Sequence, residues 1–369
     1  MINTKNLTCG FVGLGLIGGS IAKALRSTHP NCRIIAYDIK KDAIRQAIDD
    51  GIVNVAADEI DESFCACNYI FLCAPVSHND ENLLKIKEYL SPDCLLTDVG
   101  SVKSDIHKHI NELGLNHCFI GGHPMAGSER TGYVNSKALL LENAYYVLTP
   151  TDEVSEEKLS AYRDLVSSLG AIPLVLDYSR HDFITAAVSH LPHVIASSLV
   201  NLIKQSDSED GLMKMIAAGG FKDITRIASS SPAMWQQICM TNTENINELL
   251  DSYIASLLKI RDEIGTHQET AVYDFFDNAR SYRDSFIDAS SGPIKKSYSV
   301  NIEIADEPGA LASIATILAL NNISIKNIGI VHNREQEDGV LRIEFYAPES
   351  IQDASRILSA KGYVVHHKK

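Results

Sequence analysis

Long apolar runs are missing from this chain of 369 residues. A membrane helix requires about 18 consecutive apolar residues, and no stretch approaches that length, so no membrane partner is expected. The apolar start, 9–21, carries five glycines and lacks the basic region and cleavage site of a signal peptide. A cytoplasmic protein is the expectation. The eight cysteines (9, 32, 65, 67, 73, 94, 118 and 239) follow no disulfide spacing, and most sit in apolar runs as reduced thiols would. Cys65-x-Cys67 has no matching second pair, which argues against zinc. Positive charge is also scarce. Lys and Arg total 33 against 47 Asp and Glu, a net charge of −14 that disfavours nucleic acid and anionic membrane surfaces. Any anionic ligand must therefore be held by local positive potential, at helix N-termini and a few basic side chains.

What is present is a globular composition, 45% hydrophobic and 22% charged. At about 100–200 residues per domain the length predicts two or three domains. Within 1–176, strand-like runs at 9–13, 33–37, 69–73, 95–98, 118–121, 146–148 and 172–176 alternate with amphipathic segments such as 41–50 and 156–169. Such alternation predicts a mostly parallel α/β sheet with helices on both faces. Residues 177–290 show almost no strand signal. Apolar residues there recur at helical spacing (Ile246, Leu249, Leu250, Tyr253, Leu257, Leu258, Ile264), which predicts an all-helical domain used for subunit packing as well as a core. Ser231-Pro232 is a helix start. Ser290-Ser291-Gly292-Pro293 with Lys295-Lys296 reads as a linker, and 297–369 has the βαββαβ order of a ferredoxin-like fold.

Gly13-Leu14-Gly15-Leu16-Ile17-Gly18 comes directly after the first strand and opens a helix. The glycines allow a tight turn, close approach of a pyrophosphate and close helix–strand packing, while the helix start supplies N–H donors. The second strand ends in Asp38, twenty residues after Gly18, where an acid holds ribose hydroxyls. These features define a Rossmann domain, with 1–176 as its extent. Asp38 repels a 2′-phosphate, so NAD is favoured over NADP, although Lys40 and Lys41 are close behind it.

Ligands of open α/β sheets lie beyond the carboxyl ends of the strands. Among those ends only His123 offers a base titrating near neutrality, as oxidation of an alcohol requires. Read alone, it is either that base or a loop histidine capping a turn before Pro124. Ser101 is placed at the start of the helix after Asp98, as an N-cap, a site hydroxyl or both. His190 and His193 are spaced for one helix face, but no HExxH-like glutamate accompanies them and Pro192 interrupts the helix, so no metal is expected. Arg226, flanked by Ile224, Ile227 and Ala228, needs an anionic partner, either a substrate carboxylate or an internal acid. Trp235, the only tryptophan, serves either the core or a ligand contact.

Gly121-Gly122-His123-Pro124-Met125-Ala126-Gly127-Ser128-Glu129 resembles the GGHPxxGxE segment of the prephenate and arogenate dehydrogenases. Ser189-His190-Leu191-Pro192-His193, 219–228 and Pro232-Ala233-Met234-Trp235 resemble that family's SHLPH, GGGFRDxTRIA and PxMW segments, with Ala218 and Lys222 as departures. The resemblance spans about 8–285. It implies an NAD-dependent dehydrogenase acting on a cyclohexadienyl acid, with prephenate as substrate and arogenate as the alternative. His123, oriented by Ser101, accepts the C4 hydroxyl proton; Arg226 and His193 anchor carboxylates; Glu129 lines or gates the pocket; and the helical domain forms a homodimer. In the tail, Asp306-Glu307-Pro308-Gly309-Ala310-Leu311 and Asn321-Asn322 resemble an ACT domain, which implies an amino-acid effector, tyrosine, at Gly309, Ala310, Leu311 and Asn322, the alternative being a dimerisation domain without a ligand. Two other protein classes fit less well. The β-hydroxyacid dehydrogenases use a lysine-centred helix motif that is not found in 178–230. An NAD- and amino-acid-sensing protein has no need of His123, Ser101 and Arg226 together.

Overall fold

The computed structural model describes residues 7–74, 76–128, 130–288, 298–304, 307, 309–331 and 339–367. They form two compact units, Met1–Val272 and Tyr273–Lys369. The expected linker at 290–296 lies outside the described residues.

The first unit begins as a parallel sheet. Its elements in chain order are β1 (Thr8–Val12), α1 (Leu16–Thr28), β2 (Arg33–Tyr37), α2 (Lys41–Asp49), β3 (Val55–Ala56), β4 (Tyr69–Leu72), α3 (Val76–Ile86), β5 (Leu95–Asp98) and α4 (Ser104–Glu112). The strands pair as β3-β2-β1-β4-β5, all parallel. β1, β4 and β5 are buried along their whole length, which is why they read as apolar runs without alternation. One face packs Phe11, Phe71, Tyr162 and Leu165, with the rings of Phe11 and Phe71 stacked at 5.0 Å. The other packs Ile35, Phe64, Ile70 and Ile106. Each such side chain contributes about 1.5–3 kcal/mol by leaving water.

β6 (Ile120–Pro124), β7 (Tyr145–Pro150), α5 (Glu156–Ser168) and β8 (Ile172–Val175) form a separate three-stranded sheet in which β6 runs antiparallel to β7. A parallel bridge between Leu96 and Phe119 sets β6 beside β5. The two-residue strand β3 escapes the sequence reading because it is too short to show a pattern. β6 runs three residues further than the segment 118–121, so His123 is a strand residue paired with Val147 rather than a loop residue capping a turn.

α6 (Tyr178–Thr185), a π-helical turn at Ala186–His190 and α7 (Leu191–Ser206) make one continuous helix. Pro192 does not interrupt it. A proline has no N–H for the carbonyl four residues back and its ring crowds that carbonyl. The wider turn, with Leu191 N–H donating to the Ala186 carbonyl, absorbs the misfit, and His193 Nδ1 meets the Ser189 carbonyl at 2.8 Å. By length and composition this helix is apolar enough to cross a membrane, yet it carries buried His181, Asp182 and His190. The chain continues through α8 (Leu212–Ile216), α9 (Gly219–Thr225), α10 (Pro232–Thr241) and α11 (Thr243–Gly265), and Ser231 caps α10 as expected. Few apolar side chains here are buried. Val188, Leu202, Met215, Ile224, Leu257 and Leu258 are exposed, whereas Ile246 and Ile260 are covered.

After α12 (Glu269–Asp288), the second unit contains β9 (Tyr298–Ile304), α13 (Ala310–Leu320), β10 (Ile325–Val331), β11 (Gly339–Phe345), α14 (Glu349–Ala360) and β12 (Val365–His367). Its antiparallel sheet runs β10-β11-β9-β12 over a core of Val300, Ile302, Ile314, Leu341, Ile343 and Leu358.

Candidate active site

The glycine loop after β1 is shaped for a dinucleotide. Gly13 has a φ of +97°, and a Cβ there would lie 2.7 Å from the Ala74 amide nitrogen. α1 starts at Leu16, directly after Gly15, with no side-chain cap and no acidic residue in its first turn, and nothing lies within 4 Å of where a Gly15 side chain would be. Uncapped amides facing open space suit a pyrophosphate, so the residues present fit NAD. Asp38 braces the loop: one carboxylate oxygen accepts from Leu14 N at 2.6 Å and the other from Lys40 N at 2.7 Å. Each oxygen keeps a lone pair for a ribose hydroxyl. Leu14 itself is wholly buried, and Leu16 and Ile17 form the first turn of α1.

β5 and β6 are locked together on the other side of β4 from this loop. A Cβ on Gly122 would lie 2.5 Å from the Asp98 carbonyl oxygen, so only glycine permits the approach. Gly122 N donates to Asp98 Oδ1 at 3.1 Å, and Gly100 N donates to Oδ2 at 2.8 Å. Lys103 Nζ pairs with Asp98 and donates to the Gly122 carbonyl at 2.8 Å. Burial pulls Lys103 below its usual pKa, against the opposing effect of Asp98.

His123 comes next on β6. Its Nδ1 lies 2.8 Å from His181 Nε2, and His181 Nδ1 lies 2.8 Å from Asp182 Oδ1. Asp182 also accepts from the backbone amides of Lys103 and Ser104, both at 2.8 Å, and from the Ser104 hydroxyl at 2.5 Å. Burial raises the Asp182 carboxyl, but these donors outweigh it and hold the group below its usual value. Burial, reinforced by His181 and Lys103, pushes His123 well below the ordinary histidine value. A neutral imidazole thus stands at the carboxyl end of β6.

Ser101 does not cap α4. That helix starts three residues later, and its N-terminus is capped from another element by Asp182. Among the described residues the Ser101 hydroxyl has no partner, and the ring of His123 is held by His181 instead. Sequence reasoning misses His181, Asp182 and Lys103. No local pattern marks them, since α6 reads Tyr178-Ser179-Arg180-His181-Asp182-Phe183-Ile184-Thr185, with polar residues on both sides of the His-Asp pair.

A second cluster lies further along the same helix. Asn242 Nδ2 donates to the Asp182 carbonyl at 2.8 Å and sits 3.1 Å from His190 Nδ1. The rings of His193 and Trp235 stack at 3.7 Å, and Trp235 Nε1 is a buried donor without an acceptor among the described residues. Burial lowers His193, the hydrogen bond to the Ser189 carbonyl opposes it, and the charge of the Arg226 guanidinium lowers it further. Burial also lowers His190, to about 4. Glu129 lies outside the described residues. No group of three or more His, Cys, Asp or Glu side chains is arranged to hold a metal among the described residues. In the second unit, Gly309 (φ +93°) starts α13, with Ala310 and Leu311 in its first turn, while Asn322 (φ +56°) lies past its other end. At 1.5 Å per residue these ends are about 16 Å apart, so one chain does not gather the four residues around one ligand.

The glycine loop, the braced acid and the histidine at the sheet's carboxyl edge define a dinucleotide-dependent oxidoreductase. The model of the prephenate dehydrogenase nucleotide-binding domain matches residues 21–174, and that of its dimerization domain matches residues 177–278. A prephenate dehydrogenase of Bacillus subtilis (strain 168) is 35% identical over 365 residues, 98% of either chain. The crystal structure of the A. aeolicus prephenate dehydrogenase, in complex with hydroxyphenyl propionate and NAD+, superposes with a TM-score of 0.72 at 31% identity, covering 76% of this chain and 98% of that one. The Synechocystis arogenate dehydrogenase gives 0.69 at 29% identity, covering 76% and 100%. The chain belongs to the prephenate dehydrogenase family and is an NAD-dependent oxidoreductase.

Proposed function

We propose that the chain catalyses the oxidative decarboxylation of prephenate to 4-hydroxyphenylpyruvate, a step of tyrosine synthesis. The observation that carries this reading is His123, neutral at the carboxyl end of β6, with Nδ1 engaged by His181 and Nε2 left for substrate. Bound NAD supplies the hydride acceptor. His123 Nε2 takes the C4 hydroxyl proton as hydride leaves C4. The resulting dienone links its carbonyl through C=C bonds to the carboxylate-bearing carbon, so the electron pair left by departing CO2 passes to the carbonyl oxygen, which takes up a proton as the ring becomes aromatic. Ser101, whose hydroxyl is uncommitted, hydrogen-bonds the same C4 oxygen. Arg226 and His193 anchor the substrate carboxylates, the guanidinium as a fixed fork, and Glu129 borders the pocket.

The same proposal extends to assembly and regulation. The exposed apolar side chains of the helical region meet a second copy, making a homodimer in the cytoplasm. The βαββαβ unit is a ferredoxin-like ACT domain that binds tyrosine. Because Gly309, Ala310 and Leu311 lie at the opposite end of α13 from Asn322, the effector pocket is shared between two copies. The three-domain division 1–176, 177–290 and 297–369 belongs to it as well.

The test is a single assay. NADH absorbance should rise on mixing enzyme, NAD and prephenate, and added tyrosine should slow the rise. Activity confined to arogenate, which carries an amino acid in place of the pyruvyl chain, would overturn the substrate assignment. A rate indifferent to tyrosine would overturn the effector.

A further inference from the structure

The nitrogen of His123 that meets substrate is fixed by a chain of hydrogen bonds running away from the site. Asp182 accepts from two backbone amides and a hydroxyl at the N-terminus of α4, where the helix dipole also favours negative charge. An ionised carboxylate only accepts, so the proton between Asp182 and His181 belongs to His181 Nδ1. His181 Nε2 is then an acceptor, and the proton in its 2.8 Å contact with His123 belongs to His123 Nδ1. That leaves His123 Nε2 bare. His181 and Asp182 are both almost fully buried, so water does not compete for these bonds.

We propose that His181 and Asp182 are positioning residues that set the tautomer of His123 and receive the charge it acquires. The proposal rests on the reading of His123 as the base. When the substrate O–H bond breaks, its proton joins His123 Nε2. The proton on His123 Nδ1 passes to His181 Nε2, and His181 becomes the imidazolium, still donating to Asp182. His123 ends neutral with its proton on Nε2, while Asp182 remains a carboxylate throughout. The positive charge therefore rests between two rings and a carboxylate, away from the nicotinamide pocket. Loss of the Nε2 proton to water and return of the other from His181 restore the starting state. The logic is that of a base oriented by a third group, with a second imidazole inserted between base and acid.

Two measurements test it. In the full-length enzyme with 15N-labelled histidine, two-bond 15N–1H spectra near pH 7 should show His123 and His181 both protonated on Nδ1, each assigned by its disappearance in His123→Asn or His181→Asn. A His123 protonated on Nε2 would overturn the chain of bonds, whatever its role as a base. Single-turnover NADH formation should slow about 10²-fold in His181→Leu, within the range of proton-transfer effects, with the Kd values for NAD and prephenate within twofold of the parent. His181→Gln, whose amide oxygen accepts from His123 Nδ1–H but takes no proton, should recover the tautomer and only part of the rate. A His181→Leu rate within twofold of the parent would reject the charge-receiving role. A rate in His181→Gln equal to the parent's would reduce the pair to orientation alone and refute the transfer. Retention of the full rate by His123→Asn would instead bring down the base reading itself, so the two failures are distinguishable.

Discussion

The ammonium of Lys103 is buried against the carboxylate of Asp98, with 0% and 1% of the two side chains exposed, and it also donates to the carbonyl of Gly122, the residue before His123. One ion pair therefore anchors both the loop that carries Ser101 and the strand that carries the base. Its geometry leads to the first expectation. Lys103→Met strands a buried charge on Asp98 and should destabilise the fold by about 3–5 kcal/mol in urea unfolding, whereas the double variant with Asp98→Asn should recover most of the loss. A single-variant loss below about 1 kcal/mol would show that water reaches the pair.

His123→Asn should retain NAD affinity, measured by fluorescence titration, and lose about 10²–10⁴ in kcat. An unchanged kcat would mean that the proton leaves by another route.

Arg226→Ala should mainly raise the KM for prephenate, because it removes binding present in ground and transition states alike. Since the guanidinium lowers the His193 pKa, the same variant should shift the His193 NMR titration to higher pH. If KM stays put while stability falls, the arginine serves an internal ion pair.

Acid should destabilise the folded chain before most carboxylates titrate. Burial lowers His107 and His190 to about 4 each, against about 6.5 when unfolded. Between those values the unfolded chain binds more protons, so stability falls as pH drops through that window and is fully present above about pH 6.5. Each histidine contributes at most roughly 3 kcal/mol. A Tm that stays flat from pH 7 to 4 would mean that both rings are protonated in the fold.

Much of this architecture is legible in the sequence because it depends on local pattern. The apolar strands, the glycine loop with Asp38 and the βαββαβ order each leave a signature within a few residues. His123 stands out because it comes directly after a strand and carries the right chemistry. Its partners do not. His181 is 58 residues away on a helix, and nothing local distinguishes a histidine that meets another ring from one that meets solvent. Ser101 is misread for the same reason: the cap of α4 arrives from a distant element, which no local rule for helix starts anticipates. Pro192 reads as a break because the rule assumes α geometry, whereas the chain answers with a wider turn.

That turn sets the direction in which the later side chains of the helix point. In an unbroken α-helix, His193 would point about 120° away from His181, twelve residues earlier, at about 100° per residue. A π turn absorbs roughly one residue of rotation, which brings the two rings to within about 20° of the same side. Tightening the turn to α geometry at constant length would therefore swing His193 out of line without touching any ligand. Deleting one residue from 186–190 would keep the rings aligned but press the Pro192 ring against a carbonyl one turn back. The length of this segment and its proline are constrained together.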